Sequence, residues 1–287
     1  MIARLECLPC LVRQAREMAL MTSTDQQVQM NILRRVLAYM AETDLDRSPP
    51  EIMQGIGEVV RTITGIEDPY REIKEFHTAV AMDLLPEMDR MVEDSTDPFL
   101  TGMKLAIAGN IIDLGARSSV SEDAILKILD EAMNLNVSGM APHLLKERVE
   151  EADTVLYLAD NAGETVFDRK FLQQFPVGRT TVAVRGGPAL NDATMSDALQ
   201  AGLDTVASLM ENGSRAPATV LDDCSPQFNR LFSGADLVIA KGQGNYESLS
   251  SCGREVHFLF RVKCELVARH SGFPLGSLVL LQSSGEG

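Results

Sequence analysis

From Glu151 onward the chain alternates short apolar runs with helix-like segments, and this rhythm limits its fold more than any other feature. The runs are Thr154 to Ala159, Thr180 to Val184, Asp204 to Ala207, Leu237 to Ala240, Val256 to Phe260 and Ser277 to Leu281. A continuous apolar run is what a strand buried on both faces needs, and crossover helices on a parallel sheet bury both faces. Right-handed βαβ units are the expected connections. Before Glu151 the texture is helical. Val28, Ile32, Leu33, Val36, Leu37 and Met40 recur at helical spacing. Ser48-Pro49-Pro50-Glu51 reads as a helix start, and its apolar stripe runs from Ile52 to Ile63 before Gly65. Asp68-Pro69, Asp97-Pro98 and Ser121 open further helices. The first carries Ile73, Phe76, Val80, Leu84 and Leu85, and the second ends at Gly109-Asn110. The expected architecture is α/β: a mainly parallel, Rossmann-like sheet in residues 151–287, with an all-helical region, 1–150, packed against it. A pocket between the two is the default ligand site.

Composition narrows the partners. With 26 Lys and Arg against 41 Asp and Glu, the formal charge is −15. That excludes a non-specific grip on nucleic acid, which needs clustered cations to displace counterions. It leaves room for an anionic small molecule, because a metal ion and a few local cations overrule a distant surface field. Glu6 and Cys7 interrupt the N-terminus before any apolar run develops, and no stretch approaches the length of a membrane span. Five cysteines, an odd number, suit a reduced, cytoplasmic chain. Met82, Met88 and Met91 read as adaptable core filler.

In parallel α/β sheets the site lies beyond the carboxyl ends of the strands. Three such ends are polar and glycine-bearing: Asp160-Asn161-Ala162-Gly163-Glu164-Thr165, Arg185-Gly186-Gly187-Pro188 with Asn191-Asp192 after it, and Lys241-Gly242-Gln243-Gly244-Asn245. Oxygen donors from Asp160, Asn161 and Asp192 suit a hard divalent ion such as magnesium or manganese. Arg185, Lys241 and helix N-terminal amides suit a phosphate. The plainer alternatives are that Asp160 and Asn161 cap the next helix and that Lys241 is a solvated surface lysine. Gly242-Gln243-Gly244 lacks the third glycine of a dinucleotide fingerprint, and residues 160–165 are no P-loop.

Read together, the strings Leu158 to Glu164, Arg185 to Thr194, Ile239 to Tyr246, Ala108 to Asp113 and the pair Cys7-Leu8-Pro9-Cys10 resemble the damage-control phosphatases, formerly domain of unknown function 89. The resemblance spans nearly the whole chain in order, and the cysteine pair is similar to the microbial-type branch. It implies a metal-dependent phosphatase of small phosphorylated metabolites. By match of motif, Asp160, Asn161 and Asp192 would hold manganese, cobalt, nickel or magnesium, and Asn110, Glu164, Arg185 and Lys241 would line the phosphate pocket. Asp160 and Lys241 would be catalytic. His77 stands where relatives would carry Asn, which places it at the pocket or in a structural role.

The metal would polarise the phosphate or activate a water, with Lys241 and Arg185 stabilising the equatorial oxygens. Asp160 attacking phosphorus directly is the competing route. Asp-x-Asp phosphatases carry a second acid two residues on, and Ala162 stands there, which favours metal-activated water. Cys7 and Cys10, one turn apart, and Cys264 of Val262-Lys263-Cys264 would form a zinc site or a reduced thiol cluster. Two other functions compete. One is S-adenosylmethionine-dependent carboxyl methyl transfer, for which a single glycine after the first strand is poor support. The other is a non-catalytic metal-binding interaction protein.

Overall fold

Among the described residues, five of the six apolar runs join two further strands in one seven-stranded sheet. Its strands are Val137–Gly139 (β1), Val155–Leu158 (β2), Thr180–Val184 (β3), Ser208–Glu211 (β4), Leu237–Lys241 (β5), His257–Arg261 (β6) and Leu278–Gln282 (β7), in the order β1-β7-β6-β5-β2-β3-β4. Strands β4, β3, β2, β5 and β6 are parallel to one another, β7 is antiparallel to β6, and β1 is parallel to β7. The chain builds outward from β2 through β3 to β4, then returns to β5 on the other side. This reversal leaves a crevice beyond the carboxyl ends of β2 and β5. The computed structural model describes residues 1–109, 129–130, 133–134 and 136–283. Asn110 and the helix expected from Ser121 lie outside the described residues.

Both faces of the sheet are covered, as the unbroken apolar strands require. Val155 and Tyr157 of β2 enter a core with Phe99, Met103 and Ile107 of α6 (Pro98–Gly109) and Phe171 of α8 (Glu164–Leu172). Leu156 and Leu158 point the opposite way, into a core with Phe228 of α10 (Pro226–Gly234) and Tyr246 of α11 (Gly242–Leu249). This alternation is the two-residue period of a strand. The N-terminal helices α1 (Cys7–Thr22), α2 (Gln26–Glu42) and α3 (Pro49–Thr64) share a third core of Leu11, Ala15, Met18, Ile32, Val36, Ile52, Ile56 and Val60. The expected start of α3 is present. Ser48 and Glu51 form a capping box, and Gly65 ends the helix at φ 68°. Helix α3 packs on α11, which brings the helical bundle over the carboxyl edge of the sheet.

Lys74, on α4 (Arg71–Asp83), stitches the halves together. It lies buried between Asp68 at 2.8 Å and Asp197 of α9 (Met195–Gln200) at 3.0 Å. Three elements depart from the sequence reading. Asp204 to Ala207 is not a strand: Leu203–Thr205 forms a 3-10 turn after Gly202 (φ 72°), and β4 begins at Ser208, paired with Thr181. As a half-exposed edge strand, β4 has no reason to be continuously apolar. The stripe from Ile73 to Leu85 breaks at Leu84, between α4 and α5 (Leu85–Glu93), and leaves Phe76 exposed. Strand β1 comes from the stretch read as helical. Among the described residues, no helix is long and apolar enough to cross a membrane.

Candidate active site

Backbone pairing, rather than side-chain capping, fixes the three oxygen donors. After β2, Ala162 N–H donates to the Asn191 carbonyl at 2.9 Å, and Ala193 N–H donates to the Asp160 carbonyl at 2.8 Å. Asn161 and Asp192 thus face each other across an antiparallel bridge. Helix α8 takes Gly163 as its N-cap and has no side-chain cap, so Asp160 and Asn161 are not spent on it. The Asn161 Nδ2 donates to Glu164 Oε1 at 2.5 Å, which leaves its amide oxygen as the remaining acceptor. Asp160, Asn161 and Asp192 line one cavity of about 390 Å³. Its other walls come from α1, α3, the start of α11 and residues 263–266.

Two backbone features mark the same place. Leu190 (φ 50°) and Ala218 (φ 62°) are the non-glycine residues with positive φ among those described, and both line the cavity. Such strain survives where surrounding structure over-determines it, and it clusters at functional sites. Ala218 uses its position to donate its N–H to Asp192 Oδ2 at 2.8 Å. Gly242, at φ 80°, lies under Asp160, where a Cβ would stand 1.8 Å from Oδ2. Only glycine lets the carboxylate settle there. At Gly163 a Cβ would meet His77 Cβ at 2.9 Å, so this glycine serves helix packing and not ligand approach. His77 itself lines a small cavity shared with Asn161 and Glu164.

Arg185 and Lys241 lie beneath the cavity floor. Arg185 is 1% exposed: Nε donates to Asp192 Oδ2 at 2.7 Å, one terminal nitrogen to Thr219 Oγ1 at 3.3 Å and the other to the Ala159 carbonyl at 3.0 Å. Lys241 is fully buried and donates to the Ala106 carbonyl and to Asp168 Oδ1, each at 2.6 Å, with Glu164 Oε2 at 3.5 Å. Tyr157 adds a 2.7 Å hydrogen bond to the same Asp168 oxygen. In this arrangement both cations hold carboxylates in place and neither lines the cavity.

Two cations do line it: Arg13 of α1 and Lys263, which follows β6 and is exposed. Lys263 carries no expectation from sequence, although the strand-end rule covers it. Burial of Asp160, together with the carboxylates of Glu164 and Asp192, pushes its proton affinity well above the usual carboxylate range; Lys263 and Arg185 act against this. Burial likewise raises Glu164, opposed by Lys241 and Lys263. Burial pulls Lys241 down, but Asp168 and Glu164 outweigh it and keep the ammonium charged. The floor is therefore a nest of crowded carboxylates that favours a cation between its oxygens.

Cys7, Cys10 and Cys264 line the same cavity as free thiols. Among the described residues, no group of three or more Cys, His, Asp and Glu side chains is arranged to hold a metal by itself. A metal at the floor would accordingly take part of its shell from the Asn161 amide, solvent or ligand oxygens.

A Rossmann-type sheet order with acidic donors at its switch point defines a class of α/β proteins that handle small polar ligands at one sheet edge. Within that class the chain belongs to the damage-control phosphatase ARMT1-like domain family, whose sequence model matches residues 3–279. A protein of Archaeoglobus fulgidus named damage-control phosphatase is 33% identical, over 95% of this chain and 96% of its own. A damage-control phosphatase of Pyrococcus horikoshii is 30% identical over 97% of each chain, and an uncharacterized protein of Methanocaldococcus jannaschii is 31% identical over 96% of this chain and 94% of its own. The crystal structure of a domain-of-unknown-function-89 protein from Pyrococcus horikoshii superposes with a TM-score of 0.91 at 28% identity, covering 99% of this chain and all of the other.

Proposed function

We propose that this chain is a metal-dependent phosphomonoester hydrolase acting on a small phosphorylated metabolite. One observation carries the reading: Asp160, Asn161 and Asp192 meet in a single cavity whose one lining lysine, among the described residues, is Lys263. The donor set of two carboxylates and one amide oxygen fits a hard divalent ion, and the raised proton affinity of Asp160 marks charge that such an ion would neutralise. When bound on Asp160, Asn161 and Asp192, manganese, cobalt, nickel or magnesium would supply Lewis acidity toward a phosphoryl oxygen and a lowered pKa for water.

The protein's own residues do the rest. Arg185 and the Ala218 amide fix the Asp192 carboxylate, so that it needs no reorganisation when ligand arrives. Lys241 holds Glu164 and Asp168, and Glu164 in turn holds the Asn161 amide nitrogen. Lys263, on the cavity wall, would pair with the phosphate oxygens. The cavity size suits a metabolite rather than a macromolecule. The test is hydrolysis of p-nitrophenyl phosphate and a panel of phosphorylated metabolites with and without divalent ions. The reading expects turnover that chelation abolishes and added metal restores. Inactivity on every ester with every ion would refute it.

A further inference from the structure

One part of the cavity wall is unused by the chemistry above. Helix α11 carries Glu247 one turn beyond Gln243, and both line the cavity. Gln243 Nε2 donates to Glu247 Oε1 at 2.8 Å, while Gln243 Oε1 accepts the Lys263 backbone N–H at 2.8 Å. One side-chain amide therefore ties the Glu247 carboxyl to the segment that carries Lys263. The Lys263 charge acts on Asp160, Glu164 and Glu247 alike, and Lys263 and Glu247 line the same cavity. The Met1 nitrogen pins this turn of the helix, donating to the Glu247 carbonyl at 2.5 Å and to Ser250 Oγ at 3.3 Å.

Among the described residues, the charged and titratable groups set against Glu247 are Lys263 from the turn before α12 (Glu265–Ser271), the Met1 amino group, the Cys7 thiol of α1 and the Cys264 thiol, which takes a 3.7 Å contact from the same Gln243 Nε2. Burial pushes the Glu247 carboxyl up to about 7, with the Gln243 hydrogen bond, the Met1 amino group and Lys263 acting against it. An acid poised near the working pH is what proton delivery to a leaving group requires. Of the floor carboxylates, Asp160 and Asp192 are assigned to the cation and Glu164 is engaged by Lys241 and the Asn161 amide, so none of them is available to deliver a proton to an alkoxide.

We propose that Glu247 is the general acid of this site, donating its proton to the bridging oxygen of the phosphate ester. The proposal rests on the phosphatase reading. As water adds to phosphorus, the bond from phosphorus to the bridging oxygen breaks and its electron pair stays on that oxygen. The oxygen takes the Glu247 proton and leaves as an alcohol. The attacking water releases a proton to solvent, and solvent returns one to Glu247. An ester plus water gives an alcohol plus phosphate, with nothing else consumed.

Leaving-group chemistry tests this. p-Nitrophenolate departs without protonation, whereas the alkoxide of glycerol 2-phosphate does not. Glu247→Gln should therefore lose roughly 100-fold or more on the alkyl ester relative to its loss on the nitrophenyl ester. The fall in kcat above neutral pH on the alkyl ester should disappear with it. Glu247→Asp, which keeps an acid, should retain that pH limb and guards against a folding defect in the amide variant. Equal losses of Glu247→Gln on both esters, or an alkyl-ester rate matching the wild type, would overturn the assignment while leaving the phosphatase reading intact. Wild-type protein inactive on both esters would remove the reading and the proposal together.

Discussion

Replacing Gly242 with alanine should separate the stability of the fold from the geometry of the site, and the structure sets both magnitudes. Gly242 sits at φ 80°, where an L side chain costs roughly 1–2 kcal/mol. For a chain of this size that lowers Tm by about 2–8 °C. The larger effect is steric. The new Cβ would stand 1.8 Å from Asp160 Oδ2 and 2.2 Å from its Cγ, a distance no real Cβ tolerates. Because Asp160 is buried, its carboxylate cannot swing into solvent and must retreat by about 1 Å or more, which in a catalytic constellation costs on the order of 100-fold. Circular dichroism melting, manganese titration by calorimetry and kcat/KM on p-nitrophenyl phosphate would measure the three consequences. The expected variant is folded and a few degrees less stable, with weakened metal binding and at least about 100-fold lower kcat/KM. Wild-type metal affinity and activity in a folded Gly242→Ala protein would show that Asp160 does not carry the chemistry assigned to it.

Three further outcomes are expected. Asp192→Ala strands the buried Arg185 guanidinium, so it should lose about 3–5 kcal/mol of stability and metal binding together; undiminished metal affinity would refute the ligand assignment. Lys263→Ala should leave the melting curve in place, since the side chain is exposed, but weaken inhibition by inorganic phosphate and lower kcat/KM by about 10-fold or more; unchanged phosphate affinity argues that the ammonium does not meet the substrate. Lys74→Met, which leaves Asp68 and Asp197 buried without their cation, should cost about 3–5 kcal/mol at neutral pH in urea unfolding. In the folded chain burial lowers the Lys74 proton affinity, but Asp68 and Asp197 raise it more, so the net value is raised. Its stabilisation is complete below the unfolded lysine value of about 10.4 and fades as pH rises through the folded one. The wild-type advantage over Lys74→Met should therefore hold to about pH 10 and shrink above it, and an advantage that vanishes at neutral pH speaks against this account.

Strands β2, β3, β5, β6 and β7 were legible because burial on both faces makes a strand continuously apolar. Strand β4 was not, because an edge strand with Ser208 and Glu211 exposed carries no such run. The reversed direction of β7 was equally hidden: Leu278 to Gln282 looks the same from either end. At the site, the polar strand ends flagged Asp160, Asn161, Asp192, Glu164, Arg185 and Lys241 as a group. Whether a cation faces the cavity or a buried partner depends on residues far away in sequence. Lys241 finds Asp168 at a separation of 73 residues and the Ala106 carbonyl at 135, and neither distance leaves a local signal. Lys263 and Glu247 passed unnoticed because each is an ordinary surface-type residue in sequence: Lys263 stays exposed at the cavity rim, and Glu247 is enclosed only when α1 and α3 pack against its helix.

The sequence by itself determined the layered α/β plan, the position of the polar loops and the oxygen-donor chemistry, because these follow from short-range periodicity and residue type. Tertiary structure alone decided that Asp160 and Asn161 pair with the Asp192 loop instead of capping α8, and that Arg185 and Lys241 turn inward to hold carboxylates. It also left Lys263 and Glu247 on the cavity wall. Those outcomes turn on which groups lose water together, and burial is a property of the packed chain that no single segment carries.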